Sequence, residues 1–598
     1  MPQFTKEGKP IGYVIGVTPG FARAGPTETH LRKMGLARKL AEAARYGFEF
    51  AMVDFEELGE AFEPRLTEQI KLIKNANKIE LGVHLPYWMD LTIAYTYDWR
   101  IYQENLRIGT LTAADCGAKF VLFHSSSHAR PNVTAMYGRV ERRDRLVGPD
   151  GTNLGDWIVR HGLKDWFMAK FIRVLYAAMG AAADPAVVEY FSGVESFEEG
   201  KQQISREYRA LEERIYERWK EKMEDFRRRF KKEPKREMAE LLKREAEQEI
   251  IDSLGENYVR RIERVWYYAT HYDWDRIFDY WRREGSEAEE YVAYLTVAKW
   301  MYEHKDPIWE SIVETKQDPY DLCRKAILEL GESAKLPEYV KQIVAAVAGK
   351  YIEGHLFTTL EQYAIAEKEG EKTKFRSIYD FCKERGMMIY IETAMPEKGA
   401  EGELRLIRAV DHVKLCKAID DGKHLNYCMD FEHLLVNLID PIAEAKELYE
   451  KYRGYGRYIS CVHINAPRPL VGAHAPIEVP SPDLAVLYKW LYYLKLAGMK
   501  NAYLIWEMGS YGVEQSAIAF RNLVRELSKE PPTPPEKLPP EFYGITRDFE
   551  ARTLVAVRRH AFDPLRGLLV LPEKFWGMLS QRAKERGRLA EWESEEYR

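Results

Sequence analysis

Read for its alternation of apolar and polar positions, the chain falls into two blocks of short, nearly continuously apolar runs separated by amphipathic stretches. In the first block the apolar runs are IGYVIGV (11–17), FEFAMVDF (48–55), IELGVHLP (79–86) and KFVLFHSS (119–126), with helical periodicity over 29–45, 65–76 and 98–115. In the second they are MMIYIETA (387–394), LNYCMDFE (425–432), YISCVHIN (458–465) and AYLIWEMG (502–509). Helices are predicted there over 375–385, 403–417, 441–453, 483–498 and 513–527. Strands that are apolar on both faces and alternate with helices belong to parallel sheets, which are covered on both sides. Four such units followed by four more, in the usual size range of about 250 residues, predict an α/β fold of the (β/α)8 TIM-barrel type. An open doubly wound sheet is the alternative.

The two halves of the barrel, 11–130 and 375–528, are separated by an insertion over 131–374 that reads as mainly helical. Ile204, Tyr208, Leu211, Ile215, Trp219, Met223, Phe226 and Phe230 recur every three or four residues. They form one stripe on a helix about 40 Å long. Such a stripe is a packing seam, either inside a helical subdomain or between two copies of the chain in a homo-oligomer. The run FRRRFKKEPKR (226–236) holds seven basic residues and one acid; it reads as a solvated helix end, or else as a phosphate-contacting patch. The aromatic stretch VWYYATHYDWDRIFDYW (265–281) predicts helices with a core of their own. The proline-rich segment 529–542 reads as an extended linker to a charged C-terminal extension, so that 529–598 stands apart from the barrel.

Composition narrows the classes. With 46% hydrophobic and 31% charged residues the chain is globular rather than disordered. No run of 18 apolar residues and no signal-peptide core is present, so the expected location is the cytoplasm, with no membrane partner. A net charge of −5 exerts no global pull on nucleic acid, which would need a local basic face. The loop VDFEELGEAFEPR (53–65) carries five acids against one arginine and would repel a phosphate backbone. The six cysteines contain no C-x-x-C pair and several sit in apolar runs, which predicts buried thiols.

Candidate chemistry collects at the strand ends, which in a barrel line the reaction site. The third strand ends at His84, the fourth at His124 with His128 beyond it, and the fifth at Glu392. The sixth ends at Asp430 with His433 three residues on, the seventh at His463 and the eighth at Glu507. One such residue alone is an ordinary polar group at a barrel rim. Burying all of them at one mouth without a cation would be very costly. Three carboxylates and several imidazoles suit Zn²⁺ or Mn²⁺.

The segments LGVHLPYWMDLT, GAKFVLFHSSSH, IYIETA, CMDFEH, VHIN and IWEMG resemble the strand-end motifs of the endonuclease IV family of abasic-site endonucleases, within the xylose-isomerase-like TIM barrels. The likeness is greatest to the archaeal branch and covers about 11–130 and 375–528. It implies three zinc ions on nine ligands: His84 and His124 with bridging Glu392 at the first, and Glu392, Asp430, His463 and Glu507 at the second. His433 and His474 would share the third. Tyr87 matches an aromatic that touches DNA, and His128 a position outside the ligand set. The chain departs from the pattern at Gly472-Ala473-His474, where the family has an aspartate two residues before the histidine. Eight of nine ligand positions are thus filled, with Glu478 the next carboxylate along the loop.

Three functions are compatible with these residues. The first is a hydrolase of DNA 5′ to abasic sites, in which metal-bound hydroxide attacks phosphorus and Glu392 and Glu507 are catalytic, with two or three zinc ions. The second is a sugar or sugar-phosphate isomerase or epimerase that uses one Mn²⁺ or Mg²⁺ on Glu392, Asp430, His463 and Glu507. The third is a diverged barrel whose insertion binds a partner. His84, His124 and His433 favour the first, since one ion does not need them.

Overall fold

A computed structural model of the chain describes residues 2–18, 36–45, 47–55, 65–131, 133, 144–330, 336–396, 399–467, 474–477, 479, 481–507 and 513–545. The chain divides into two compact units, residues 1–476 with 493–513 and residues 477–492 with 514–598. The first contains a closed barrel of eight parallel strands: β1 (Tyr13–Thr18), β2 (Phe50–Asp54), β3 (Glu80–His84), β4 (Phe120–His124), β5 (Met388–Glu392), β6 (Leu425–Asp430), β7 (Ile459–His463) and β8 (Ala502–Glu507). Each pairs with its neighbours in chain order, β5 closes on β4 and β8 on β1. This is the (β/α)8 architecture expected, with the insertion after the fourth strand.

Side chains alternate across a strand, so residues of one parity share the barrel interior. Phe50, Met52, Phe120, Leu122, Met388, Tyr390, Cys428, Cys461, Tyr503 and Ile505 fill the lower and middle levels as one buried cluster. Phe50 lies 4.5 Å from the Tyr503 ring and Phe120 lies 5.0 Å from Tyr390, centroid to centroid. Gly82 makes room for this packing, since a Cβ there would come within 2.2 Å of the Phe120 ring. Carried two residues further, the same parity reaches the strand ends. An antiparallel hairpin of Gln3–Phe4 and Pro10–Ile11, not foreseen, sets Phe4 against Phe50 and Tyr503. All six cysteines are buried and free.

In the insertion, the striped helix runs from Phe197 to Phe230, about 50 Å. Ile204 and Leu211 are buried, whereas Phe230 at its far end is 57% exposed. The stripe is met from within the chain: Tyr208 stacks on Trp266 at 3.8 Å, and Trp219 donates to the Ala239 carbonyl at 3.2 Å. The basic run closes this helix. Arg227, Arg228 and Arg229 lie in its last turn, where cations offset the helix dipole, and Arg227 and Arg228 pair with Glu233 and Asp225. Helices Glu290–Glu303 and Glu338–Phe357 are apolar nearly all round and form the insertion's buried centre.

Three expectations need correction. The insertion also contains an antiparallel hairpin, Ile365–Glu369 with Lys372–Arg376. The helix expected from 403 begins at Ala409, because Leu404, Arg405 and Leu406 are buried in the preceding loop instead. The proline-rich stretch is not an extended linker. Within the second unit it folds into short turns at Pro535–Lys537 and Pro540–Tyr543, Phe542 is fully buried, and the Thr533 carbonyl accepts from Tyr488 at 2.7 Å. The tail from 546 lies outside the described residues, as do 56–64 of the acidic loop, Gly472 and Glu478. No helix among the described residues is long and apolar enough to cross a membrane.

Candidate metal centre

The topmost interior position of every barrel strand is polar: Thr18, Asp54, His84, His124, Glu392, Asp430, His463 and Glu507. All eight are buried. Strand register puts them side by side, with Glu392 opposite His124, Asp430 opposite His463 and Asp54 opposite His84. Asp54, read from the sequence as part of a DNA-repelling loop, is therefore an interior residue 3.9 Å from His84 Nδ1.

The histidines are oriented from behind. Nδ1 of His84 lies 2.6 Å from the Leu85 carbonyl, Nδ1 of His124 lies 2.8 Å from the Tyr87 carbonyl, and Nδ1 of His433 lies 2.8 Å from the Thr393 carbonyl. A neutral imidazole that donates from Nδ1 keeps its lone pair on Nε2. This backbone contact is what fixes the tautomer of metal-ligating histidines. Nε2 of His84 and of His124 both face Glu392 Oε2, at 3.3 and 3.8 Å.

His463 is turned the other way. Its Nδ1 meets three carboxylates: Glu392 Oε1 at 2.7 Å, Glu507 Oε1 at 3.0 Å and Asp430 Oδ2 at 3.6 Å. Asp430 has a second task. Its Oδ1 caps the helix Phe431–Val436 by accepting from the His433 backbone N–H at 2.5 Å. That cap explains the three-residue spacing to His433. His474 joins from the loop after β7, with Nδ1 3.4 Å from Glu507 Oε2. Its backbone φ of 43° is unusual for a side chain of this kind.

Seen as donor sets, three groups have all their ligand atoms within 4.8 Å: His84, His124 and Glu392; Glu392, Asp430, His433 and Glu507; and His433, His474 and Glu507. Each shares members with the next. Among the described residues no lysine or arginine nitrogen comes within 4.0 Å of Glu392, Asp430 or Glu507, whose only ionic neighbours are histidines.

Protonation follows from that imbalance. Burial pushes the His433 ring down, but Asp430 and Glu392 outweigh it and raise it to about 10. Burial likewise opposes the charge on His463, yet Cys428, Glu392 and Glu507 raise it well above the usual histidine range. His124, buried and next to His84 and His433, falls to about 3. Burial raises Glu392, and His463, His433 and His84 more than reverse it, holding the carboxyl well below its ordinary range.

A divalent cation fits this set better than protons do. Two donors on one tetrahedral zinc, with bonds of about 2.0–2.1 Å, lie roughly 3.3 Å apart. The contacts of 3.0–3.6 Å across the cluster scatter about that value. Asp430 Oδ2 and His463 Nε2 are also buried without a hydrogen-bond partner among the described residues.

Of the other residues singled out, Tyr87 is 57% exposed at the rim while its carbonyl holds His124; Trp88 and Tyr97, not singled out, are exposed close by. His128 stays outside the cluster, 3.2 Å from Asp90. Reading the sequence missed Asp54 and also Glu432, a fully buried carboxylate between Asp430 and His433 whose Oε2 lies 3.2 Å from His474 Nδ1. It missed Arg405 as well. From the loop after β5 this guanidinium makes a bidentate pair with Glu290 of the insertion, at 2.7 Å for both bonds, and donates to the carbonyls of Thr92 and Ala129. Arg405 thus ties the loops that follow β3, β4 and β5 to the insertion.

No protein-family model matches the chain, and no curated protein matches its sequence.

Proposed function

We propose that the protein is a metal-dependent phosphodiesterase resembling endonuclease IV, hydrolysing DNA 5′ to abasic sites. The observation that carries this reading is the overlap of the three donor groups through Glu392, His433 and Glu507. A single-ion sugar isomerase needs only the central set, and the inward-facing His84 and His124 would then have no cation to serve. Zinc held by these residues would supply a water of lowered pKa and positive charge against the phosphate oxygens.

The chain's own residues divide the remaining work. Glu392, shared by two groups, holds their positions together, and Glu392 and Glu507 are the carboxylates in place to accept the proton released by the attacking water. Tyr87 and Trp88 present aromatic surface at the rim on which an unpaired base can stack.

The test is a duplex carrying one abasic site. Nicking on its 5′ side that stops with chelator and returns with zinc supports the reading. Epimerisation of a ketose with one Mn²⁺, without nicking, would replace it by the isomerase.

A further inference from the structure

The third donor group is the weakest of the three, since its one carboxylate, Glu507, also belongs to the second. We propose that Glu432 is the carboxylate ligand of a third divalent cation held with His433 and His474, an inference that rests on the multi-metal reading above. Glu432 is fully buried, in the first turn of the helix Phe431–Val436 that Asp430 caps. Its side chain and that of His433 therefore start from one short rigid element. Its carboxylate reaches the loop after β7 and accepts from the His474 backbone N–H at 3.1 and 3.3 Å.

Distances separate ligation from a simple ion pair. A charged imidazole–carboxylate hydrogen bond closes to about 2.7–2.9 Å. His474 Nδ1 stands 3.2 Å from Glu432 Oε2 and 3.4 Å from Glu507 Oε2. Those separations match the edges of a zinc tetrahedron, roughly 3.3 Å. Asn465 Nδ2, 3.1 Å from the same nitrogen, fixes the ring from a further side. Gly472, where the resemblance leads one to expect an aspartate, then costs the chain no ligand. The carboxylate comes from β6's helix instead of from the loop.

Native mass spectrometry of the full chain, reconstituted with zinc alone, counts ions directly. The wild type is expected to carry three, and Glu432→Gln and His474→Ala two each, with the circular-dichroism spectrum unchanged. Glu432→Asp is expected to restore the third ion at higher zinc. Three ions retained in Glu432→Gln, or two in both wild type and variant, would overturn the proposal for Glu432 while leaving a multi-metal centre standing. No bound zinc in the wild type would remove the multi-metal reading itself.

Discussion

Two clusters of buried ionisable groups lie near one another at the barrel's upper end, and they balance charge in opposite ways. Around Arg405 the chain supplies its own cation: the guanidinium pairs with Glu290, and the fully buried Asp90 is held well below the usual carboxylate range, against its burial, by His128 and Arg405. At the strand ends, Glu392, Asp430 and Glu507 meet no arginine or lysine, and their only positive neighbours are imidazoles that can lose the charge. The first cluster is complete as folded and serves to join loops. The second is complete only when protons or metal ions arrive, which is the property of a site rather than of a brace.

Removing Arg405 should have the largest effect on stability. Arg405→Ala leaves Glu290 buried without its partner, and urea denaturation should show a loss of about 3–5 kcal/mol, equal with and without zinc. The double variant Arg405→Met, Glu290→Met should recover most of it. The opposite behaviour is expected at the metal centre. Glu392→Gln should leave the chelator-stripped protein as stable as the wild type or more so, because it relieves carboxylate crowding. With zinc at a hundredfold excess over Kd, the same variant should lack about 2.7 kcal/mol of stabilisation for each ion lost. A zinc-dependent loss in Arg405→Ala, or a zinc-independent one in Glu392→Gln, would erase the distinction.

Tyr87→Ala should move neither stability nor zinc content. If the rim aromatic stacks on substrate, it should weaken substrate binding by about 1–3 kcal/mol, read as a raised KM on the abasic duplex.

The smallest effect is with pH. His433 sits at about 10 in the folded, metal-free protein, against an ordinary value of about 6.5 when unfolded. Its contribution to metal-free stability is fully present below about pH 6.5 and is lost as pH rises through about 10. Zinc must displace that proton, so apparent zinc affinity should rise with pH between 6 and 8, about tenfold per unit for each proton released. Calorimetry in buffers of different ionisation enthalpy counts those protons.

The comparison also explains what could be read in advance. The barrel was legible because each strand is a short apolar run, and the ligand candidates because they end those runs. Asp54 has the same parity as Phe50 and Met52, yet the acids that follow it made it look like loop. Glu432 lies inside a D-x-x-H spacing that draws attention only to its ends, and its contact with His474 spans 42 residues. Arg405 and Glu290 are 115 residues apart; neither carries a local signal, since only folding the insertion over the mouth brings them together. The proline-rich stretch misled for a related reason: composition predicts an extended chain, and the burial of Phe542 decides otherwise.

The central claim, that the strand-end cluster is a multi-metal centre, is tested most directly by elemental analysis of the purified full-length protein beside its His124→Ala variant. The account predicts at least two zinc ions per chain in the wild type and their joint loss in the variant. One Mn²⁺ or Mg²⁺ per chain, retained in His124→Ala, would contradict it.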